Sequence, residues 1–158
     1  MSEKNETKVY YIDEIDKKIL NSLEKDCRKS FNKIAEEVGV TTVTVIKRVE
    51  KMIKEGIIKS FSLQIDPKKL GLEIEALILI RIKSNAYLRS FKKRLLDSLN
   101  VLEISEVSGE NDLFIRCFFR NNSELTFFVK KFLMSDEIEK SITHILLEKE
   151  EKNISQII

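Results

Sequence analysis

The chain has 158 residues, of which 42% are hydrophobic, so it can hold one ordinary domain or two small ones with packed cores. Charged residues make up 34%, yet the formal net charge is only +2, so any contact with a polyanion must come from local clustering of cations. The N-terminus is too polar for a signal peptide, and the longest apolar run, residues 76–80, is too short to span a membrane, which predicts a cytoplasmic protein.

The chemistry of an enzyme or a metal protein is not visible in the sequence. Cys27 and Cys117 lie far apart, without a C-x-x-C spacing or a neighbouring histidine, so both are expected to be small buried hydrophobic residues. There is no glycine-rich phosphate loop and no Cys/His or Ser/His pattern. The sequence therefore predicts neither catalysis nor a cofactor.

Two short helices are predicted after a polar, flexible N-terminal tail over residues 1–11. Asp13 can cap the first, in which Ile15, Ile19 and Leu23 recur at helical spacing as far as about residue 26. Ser30 can cap the second, and Gly39 suits the left-handed position that ends a helix.

The third helix, over residues 41–52, is capped by Thr41 and has two different sides. Helical periodicity predicts a core-facing side with these residues: Thr42, Val45, Ile46, Val49, Met52 and Ile53. It predicts an outer side with these residues: Val43, Thr44, Lys47, Lys51 and Lys54, with Arg48 on the flank. Residues 41–60 hold five cations and two acids, a local charge of +3.

A helix, a glycine turn and a second helix that presents small residues followed by cations is typical of a DNA-binding helix-turn-helix. Small side chains permit close approach to base edges, and the cations can reach phosphates. Three-helix packings without DNA function share this periodicity, and a cationic helix face is often only solvated surface. Residues 57–66 alternate like a strand, which predicts a wing within a domain of residues 12–66, followed by a linker over residues 67–72.

The second half, residues 73–150, has the pattern βαββαβ. The predicted elements are a strand over residues 72–83, a helix marked by Leu88, Phe91, Leu95 and Leu99, two strands around the turn GEND, a helix capped by Ser123, and a last strand over residues 141–149. The predicted fold class is α+β, a winged helix-turn-helix followed by a ferredoxin-like domain with both helices on one face of an antiparallel sheet.

The other sheet face has no cover within the chain, although Leu77, Leu79 and some of Phe114, Phe118 and Leu147 should lie there. Such a face is most simply covered by a second copy, which predicts a homodimer that presents two reading helices to a palindromic site. His144 has no cluster of ligands around it and is interpreted as a structural or interface residue. Residues 151–158 are expected to be a solvated tail.

The segment IDEIDKKILNSLEKDCRKSFNKIAEEVGVTTVTVIKRVEKMIKEGIIKSF resembles the N-terminal pattern of the Lrp/AsnC family, the leucine-responsive or feast/famine regulators. The resemblance implies that a winged helix-turn-helix binds promoter DNA and that the C-terminal domain, called ACT-like or RAM, dimerises and often senses an amino acid. It places Thr41 at the family's serine cap, Thr42, Val43 and Thr44 at the helix start, and Lys47 and Arg48 at its basic pair.

The family's effector pocket lies between subunits around a turn of the form Gly-acid-aromatic-Asp, which resembles Gly109, Glu110, Asn111 and Asp112 here. Asn111 replaces the aromatic wall, so a polar amino acid or no effector is expected instead of a leucine-like one. Asp112 could pair with a ligand ammonium group or cap a tight hairpin. Thr143 resembles a last-strand threonine near that pocket, although it could equally be an ordinary β-branched sheet residue.

Two functions remain open from the sequence. The first is a sequence-specific transcription regulator, for which the resemblance also implies assembly into a tetramer or octamer and contact with the transcription machinery. The second is a nucleoid-type packaging protein with little sequence preference, which the mild net charge disfavours because such binding relies on phosphate neutralisation.

Overall fold

The computed structural model describes residues 9–158, which form two compact units. The first unit contains the residues up to Gln64 together with Glu150–Ile158, and the second is Ile65–Lys149. The predicted flexible tail lies outside the described residues as far as residue 8. Among residues 9–158 there is no helix whose length and apolar character would suffice to cross a membrane.

The first unit contains three α-helices, α1 (Glu14–Lys25), α2 (Phe31–Val38) and α3 (Thr42–Lys54). Each begins after the residue that the sequence predicts as its cap, because a side-chain oxygen accepts a backbone N–H that has no partner within the helix. The three cap residues are Asp13, Ser30 and Thr41. Gly39 ends α2 with φ of 79°, in the left-handed region that favours glycine.

The core of the first unit lies between these helices. Its buried residues are Ile19, Leu23, Ile34, Ala35, Val45, Val49 and Met52. The prediction that Ile53 faces this core is wrong, since its side chain is 46% exposed. Ile53 lies on the flank of the buried row formed by Val45, Val49 and Met52, near the end of α3.

The predicted wing does not form, because residues 57–66 contain no strand. The amides of Ile57 and Ile58 both donate to the Met52 carbonyl, at 2.8 and 3.2 Å, so the segment begins as an extension of the α3 terminus. Farther along, Leu63 is 76% exposed. A strand requires a neighbouring strand to pair its backbone groups, and the alternating pattern alone cannot supply one.

The second unit has the predicted βαββαβ order. Its elements are β1 (Ile74–Ile82), α4 (Asn85–Leu96), β2 (Val101–Glu106), β3 (Leu113–Phe119), α5 (Asn122–Phe128) and β4 (Ile138–Ile145). The four strands pair antiparallel in the order β2-β3-β1-β4. Phe91 and Leu95 of α4 share one buried cluster with Phe128 of α5 and the inner residues of the sheet, so both helices cover the same face.

Three boundaries in the second unit differ from the predicted ones. Helix α4 ends at Leu96, so Leu99 is fully exposed instead of continuing the apolar stripe. Helix α5 is capped by Asn121, whose side chain accepts the Glu124 N–H at 3.0 Å, and not by Ser123. Strand β4 begins and ends earlier than predicted, which leaves Leu147 beyond it and exposed.

The two cysteines differ in burial. Cys117 is fully buried in β3, and burial raises the pKa of its thiol to about 12, so it behaves as the hydrophobic residue that was predicted. Cys27 is only half-buried, and its Sγ lies 3.7 Å from the Ser62 carbonyl oxygen. The prediction of burial is therefore wrong for Cys27, which lies in the link between α1 and α2, outside the buried cluster of the first unit.

Candidate nucleic-acid interface

One side of α3 points to solvent and carries an apolar residue followed by cations. Val43, Lys47, Lys51 and Lys54 follow one another at steps of four, four and three residues, so they lie on the same side of the helix. Val43 is 59% exposed although it is apolar. At a rise of about 1.5 Å per residue, Lys51 lies about 12 Å farther along the axis than Val43.

The hydroxyl groups of the threonines at the start of α3 are partly engaged in capping this helix. Thr41 Oγ1 accepts the Thr44 N–H at 3.2 Å and lies 2.8 Å from the Thr44 hydroxyl. Thr42 is half-buried, as is Thr44. These contacts fix the first turn, whose remaining amides and positive helix-dipole end are suited to a phosphate.

Arg48 makes an internal ion pair that no local sequence pattern indicates. Its Nη1 lies 2.5 Å from Asp13 Oδ2 and 3.2 Å from Asp16 Oδ1. Asp16 is only 1% exposed, so its carboxylate depends on this guanidinium for a partner of opposite charge. Arg48 therefore joins α3 to the N-terminus of α1.

The contact between Arg48 and Asp13 shifts the pKa of both side chains. The backbone N–H of Asp16 and the Arg48 guanidinium hold the pKa of Asp13 below its ordinary value, and Asp13 in turn raises the pKa of Arg48. Asp13 and Asp16 also form a reciprocal capping box at the start of α1. The same two carboxylates, Asp13 and Asp16, thus form both the ion pair with Arg48 and the cap of α1.

The exposed lysines differ in what surrounds them. The Lys51 ammonium lies 5.0 Å from the centroid of the Tyr10 ring, a cation–π arrangement that holds it beside the N-terminal end of the described chain. Within residues 9–158, Lys47 and Lys54 have neither an ion pair nor a hydrogen bond through their ammonium groups. Their charges are therefore available to an external anion.

The predicted effector residues are not all brought together in one protomer. Gly109, Glu110, Asn111 and Asp112 form the turn between β2 and β3. The Asp112 carboxylate accepts the Ile82 N–H at 2.7 Å and so ties this turn to the end of β1. This contact is to a third strand and not within the β2–β3 hairpin, and it uses one oxygen that a ligand ammonium group would need.

Thr143 lies farther away along the sheet. It pairs with Ile78 on β1, whereas Asp112 lies near Ile80, since the Asp112 N–H donates to the Ile80 carbonyl oxygen at 2.9 Å. Opposite residues of an antiparallel pair share a face, so Thr143 is on the helix-covered side with Ile78. The next residue, His144, pairs with Leu77 on the uncovered side.

The uncovered side of the sheet combines apolar residues with one ion pair. Leu77 and Leu79 lie there beside Phe114 and Phe118, and all four are at least half-buried in the single chain. Among them, Arg116 Nε donates to Glu75 Oε1 at 2.5 Å, and the Arg116 guanidinium lies 5.4 Å from the Phe118 ring centroid. Sequence alternation finds the leucines, but it could not find this cross-strand pair.

Comparison with known protein families gives two matches that follow the division of the chain. The AsnC-type helix-turn-helix domain matches residues 12–53, and the Lrp/AsnC ligand binding domain matches residues 75–154. The first match covers α1, α2 and all but the last residue of α3, and the second covers all but the first residue of the four-stranded sheet.

Similar proteins cover most of the chain. An uncharacterized HTH-type transcriptional regulator of Pyrococcus abyssi is 32% identical over 137 residues, which are 87% of this chain and 92% of that protein. The HTH-type transcriptional regulator FL11 of Pyrococcus furiosus is 30% identical, covering 86% and 89% of the two chains.

Solved structures show the same fold. The structure of AsnC of E. coli has a TM-score of 0.82 and 30% identity, and the match covers 92% of this chain and 99% of that one. A transcriptional regulator of Neisseria meningitidis, solved in complex with L-Met, also has a TM-score of 0.82 and covers 92% and 96%. Its identity is 22%, so that likeness concerns the fold alone.

Proposed function

Because this chain belongs to the Lrp/AsnC family of HTH-type transcriptional regulators, we propose that it binds a palindromic promoter site as a homodimer. Helix α3 enters the major groove, and the regulator responds to a small polar amino acid bound at its C-terminal domain. The reading residues are Thr41, Thr42, Val43, Thr44, Lys47 and Lys51, while Arg48 acts mainly by positioning α3.

The exposed side of α3 is the observation that carries this proposal. Val43 is an apolar side chain exposed at the start of the helix, where it can contact a thymine methyl group in the major groove. Lys47 and Lys54 have no partner among the described residues, so they can neutralise phosphates on the groove walls. What supports the proposal is that the valine and these cations lie on the same side of one helix.

Two reading helices are proposed because the uncovered sheet face provides a surface on which a second copy can pack. An isologous contact through Leu77, Leu79 and Phe114 buries the same side chains on both chains. A two-fold dimer then matches a two-fold operator, whose half-sites lie about 10 base pairs apart or a multiple of that distance.

The effector proposal concerns the turn of Gly109, Glu110, Asn111 and Asp112. One Asp112 oxygen is bonded to the Ile82 N–H, so the ligand's ammonium group is left with the second oxygen and the neighbouring Glu110. The half-buried Asn111 amide favours a polar side chain on the ligand. Because β1 lies between the strand of Thr143 and the β2–β3 turn, we propose that Thr143 contacts the effector only if the partner contributes it.

The proposed function is tested by selecting DNA duplexes from a random pool and then replacing single thymines with deoxyuridine. For the wild-type protein, one replacement in each half-site should weaken binding several-fold, since only the C5 methyl group is lost. For Val43→Ser the same replacement should have no effect. Lys47→Ala should weaken binding to every duplex and reduce the salt dependence by about one counterion.

Two outcomes would contradict the proposal. If the selected duplexes bind no more tightly than random DNA at the same salt concentration, the protein is a packaging protein of low sequence preference. If Val43→Ser is as sensitive to deoxyuridine as the wild type, α3 does not read bases through this face. Titration calorimetry with polar amino acids, using Glu110→Ala as the variant, tests the effector separately.

A further inference from the structure

Residues Glu150–Ile158, called the return segment below, are grouped with the first unit although they follow the second unit in sequence. They contain a short 3₁₀ helix, Ile154–Gln156. The sequence predicts a solvated tail here because the segment is highly charged, but the structure shows a docked segment. The chain therefore crosses between the two units twice, after Gln64 and after Lys149.

One charge-assisted hydrogen bond anchors the return segment. The Ser155 N–H donates to Glu24 Oε2 on α1 at 3.0 Å, and Ser155 is only 9% exposed. The turn is also closed internally, since the Asn153 N–H donates to Gln156 Oε1 at 3.1 Å and the two residues form a capping box. The docked conformation is therefore specified by the side chains of Glu24, Asn153 and Gln156 and by backbone groups of the return segment.

The return segment also closes one side of a large cavity within the first unit. This cavity has a volume of about 820 Å³ and lies between α1 and residues 56–64. Its apolar lining includes Leu20, Leu23, Ile58, Phe61, Ile154 and Ile158. Ile154 and Ile157 remain largely exposed, so little apolar surface is buried and one substitution should be enough to release the segment.

We propose that the return segment is a second tether that restricts the motion of the DNA-reading unit and thereby sets the half-site spacing the dimer accepts. A unit held by one flexible connection can swing and reach half-sites at several separations. A second connection, docked on α1, removes much of that freedom. Once one α3 of the dimer is bound, the other α3 is then held near half-sites at one particular separation, which raises its effective concentration there. The hydrogen bond that anchors the return segment is to α1 and not to α3, so the tether acts on spacing and not on base contacts.

The spacing role rests on the proposed function, and it is tested with the full chain on three kinds of duplex. These are a single half-site, the selected palindrome, and palindromes whose half-sites are moved apart by one to five base pairs. Glu24→Ala removes the acceptor of the Ser155 N–H, and removal of residues 151–158 eliminates the tether. Ile157→Ala, at an exposed position of the same segment, is the control for the segment, and Glu36→Ala is the control for the lost negative charge.

The tether predicts that Glu24→Ala and the truncation bind the single half-site within about twofold of wild type, bind the selected palindrome about tenfold more weakly, and accept altered spacings more evenly. Glu24→Gln, which keeps an acceptor oxygen, should restore most of the spacing preference. Identical spacing preferences in the wild type, Glu24→Ala and the truncation would overturn the inference.

Amide ¹⁵N relaxation of the DNA-free protein separates this inference from the proposed function. Helix α3 should share the rotational correlation time of the sheet in the wild type and show a shorter one in Glu24→Ala. If the wild type selects no palindrome, the proposed function is wrong, and unequal correlation times would still support the tether. If the correlation times are unchanged by Glu24→Ala, the tether is wrong whatever DNA the protein binds.

Discussion

Lys47 and Arg48 are adjacent cations on α3, but their side chains have different surroundings. Lys47 is exposed and has no charged partner within residues 9–158. Arg48 is only 32% exposed and holds Asp13 together with the buried Asp16. A basic pair that looks uniform in sequence thus divides into one residue whose charge is available to an external anion and one whose charge is paired within the protein.

Arg48→Ala should destabilise the protein, whereas Lys47→Ala should not. Removing the guanidinium leaves the Asp16 carboxylate buried without its cation, a change that costs about 2 kcal/mol after allowing for the partial exposure of Arg48. Urea denaturation followed by circular dichroism measures both variants. Equal stability of the two variants would show that the ion pair contributes nothing net.

The contribution of Asp13 should disappear in acid. Its pKa in the folded protein is below the ordinary value of 3.8, so its charge stabilises the fold above that pH, and this contribution is lost as the pH falls through the folded pKa. Asp13→Asn keeps a good helix cap but removes the charge. The wild type should therefore be more stable than Asp13→Asn at neutral pH, and the difference should vanish well below pH 3.8.

Urea denaturation of the two proteins at a series of pH values measures this difference. Taking the difference cancels the other carboxylates with lowered pKa values, among them Glu37 beside Lys29 and Glu137 beside Arg94. A difference that stays constant with pH would mean that Asp13 acts only as a cap.

At the level of elements, the sequence predicts most where the determining contacts are local. The three helix starts of the first unit are predicted because each cap bonds a backbone group three residues away. The wing is predicted wrongly because alternation over residues 57–66 satisfies only one requirement of a strand, and pairing is a nonlocal one. The α5 cap is misplaced because Asn121 and Ser123 are both good caps within one turn.

Asn121→Ala should destabilise the protein by about 1 kcal/mol, while Ser123→Ala should be nearly neutral. The Asn121 side chain accepts the Glu124 N–H, and the Glu124 carboxylate accepts the Arg120 N–H in return, so the first turn of α5 depends on position 121. Thermal unfolding of the two variants compares them directly. Greater loss in Ser123→Ala would place the helix start at the position that was predicted from the sequence.

At the scale of the whole molecule, the sequence predicts which residues lie on the candidate DNA-binding side of α3. It does not predict the long-range contacts that hold the first unit together. Periodicity alone places Val43, Lys47 and Lys51 on one side of a helix. The Arg48 pair joins residues 35 positions apart, and the Ser155 contact joins residues 131 positions apart, so no local pattern contains either one. Both contacts connect polar residues that would otherwise be interpreted as ordinary solvated surface.

The uncovered sheet face gives the last prediction, which concerns assembly. Leu79 lies opposite Phe114 on one side and Ile142 on the other, in the middle of the apolar part of this face. Leu79→Glu should convert the proposed dimer to a monomer, because it places a carboxylate in the apolar part of the proposed contact. Sedimentation velocity over a range of concentrations measures the change.

Leu99→Glu provides the control, because it is the same substitution at a residue that is fully exposed beyond the end of α4. Circular dichroism should show that both variants keep their helix and strand content, since Leu79 is only half-buried in the single chain. A folded Leu79→Glu that still sediments as a dimer would mean that another surface joins the two copies. In that case the paired reading helices would have to be positioned by that surface, and not by the uncovered face of the sheet.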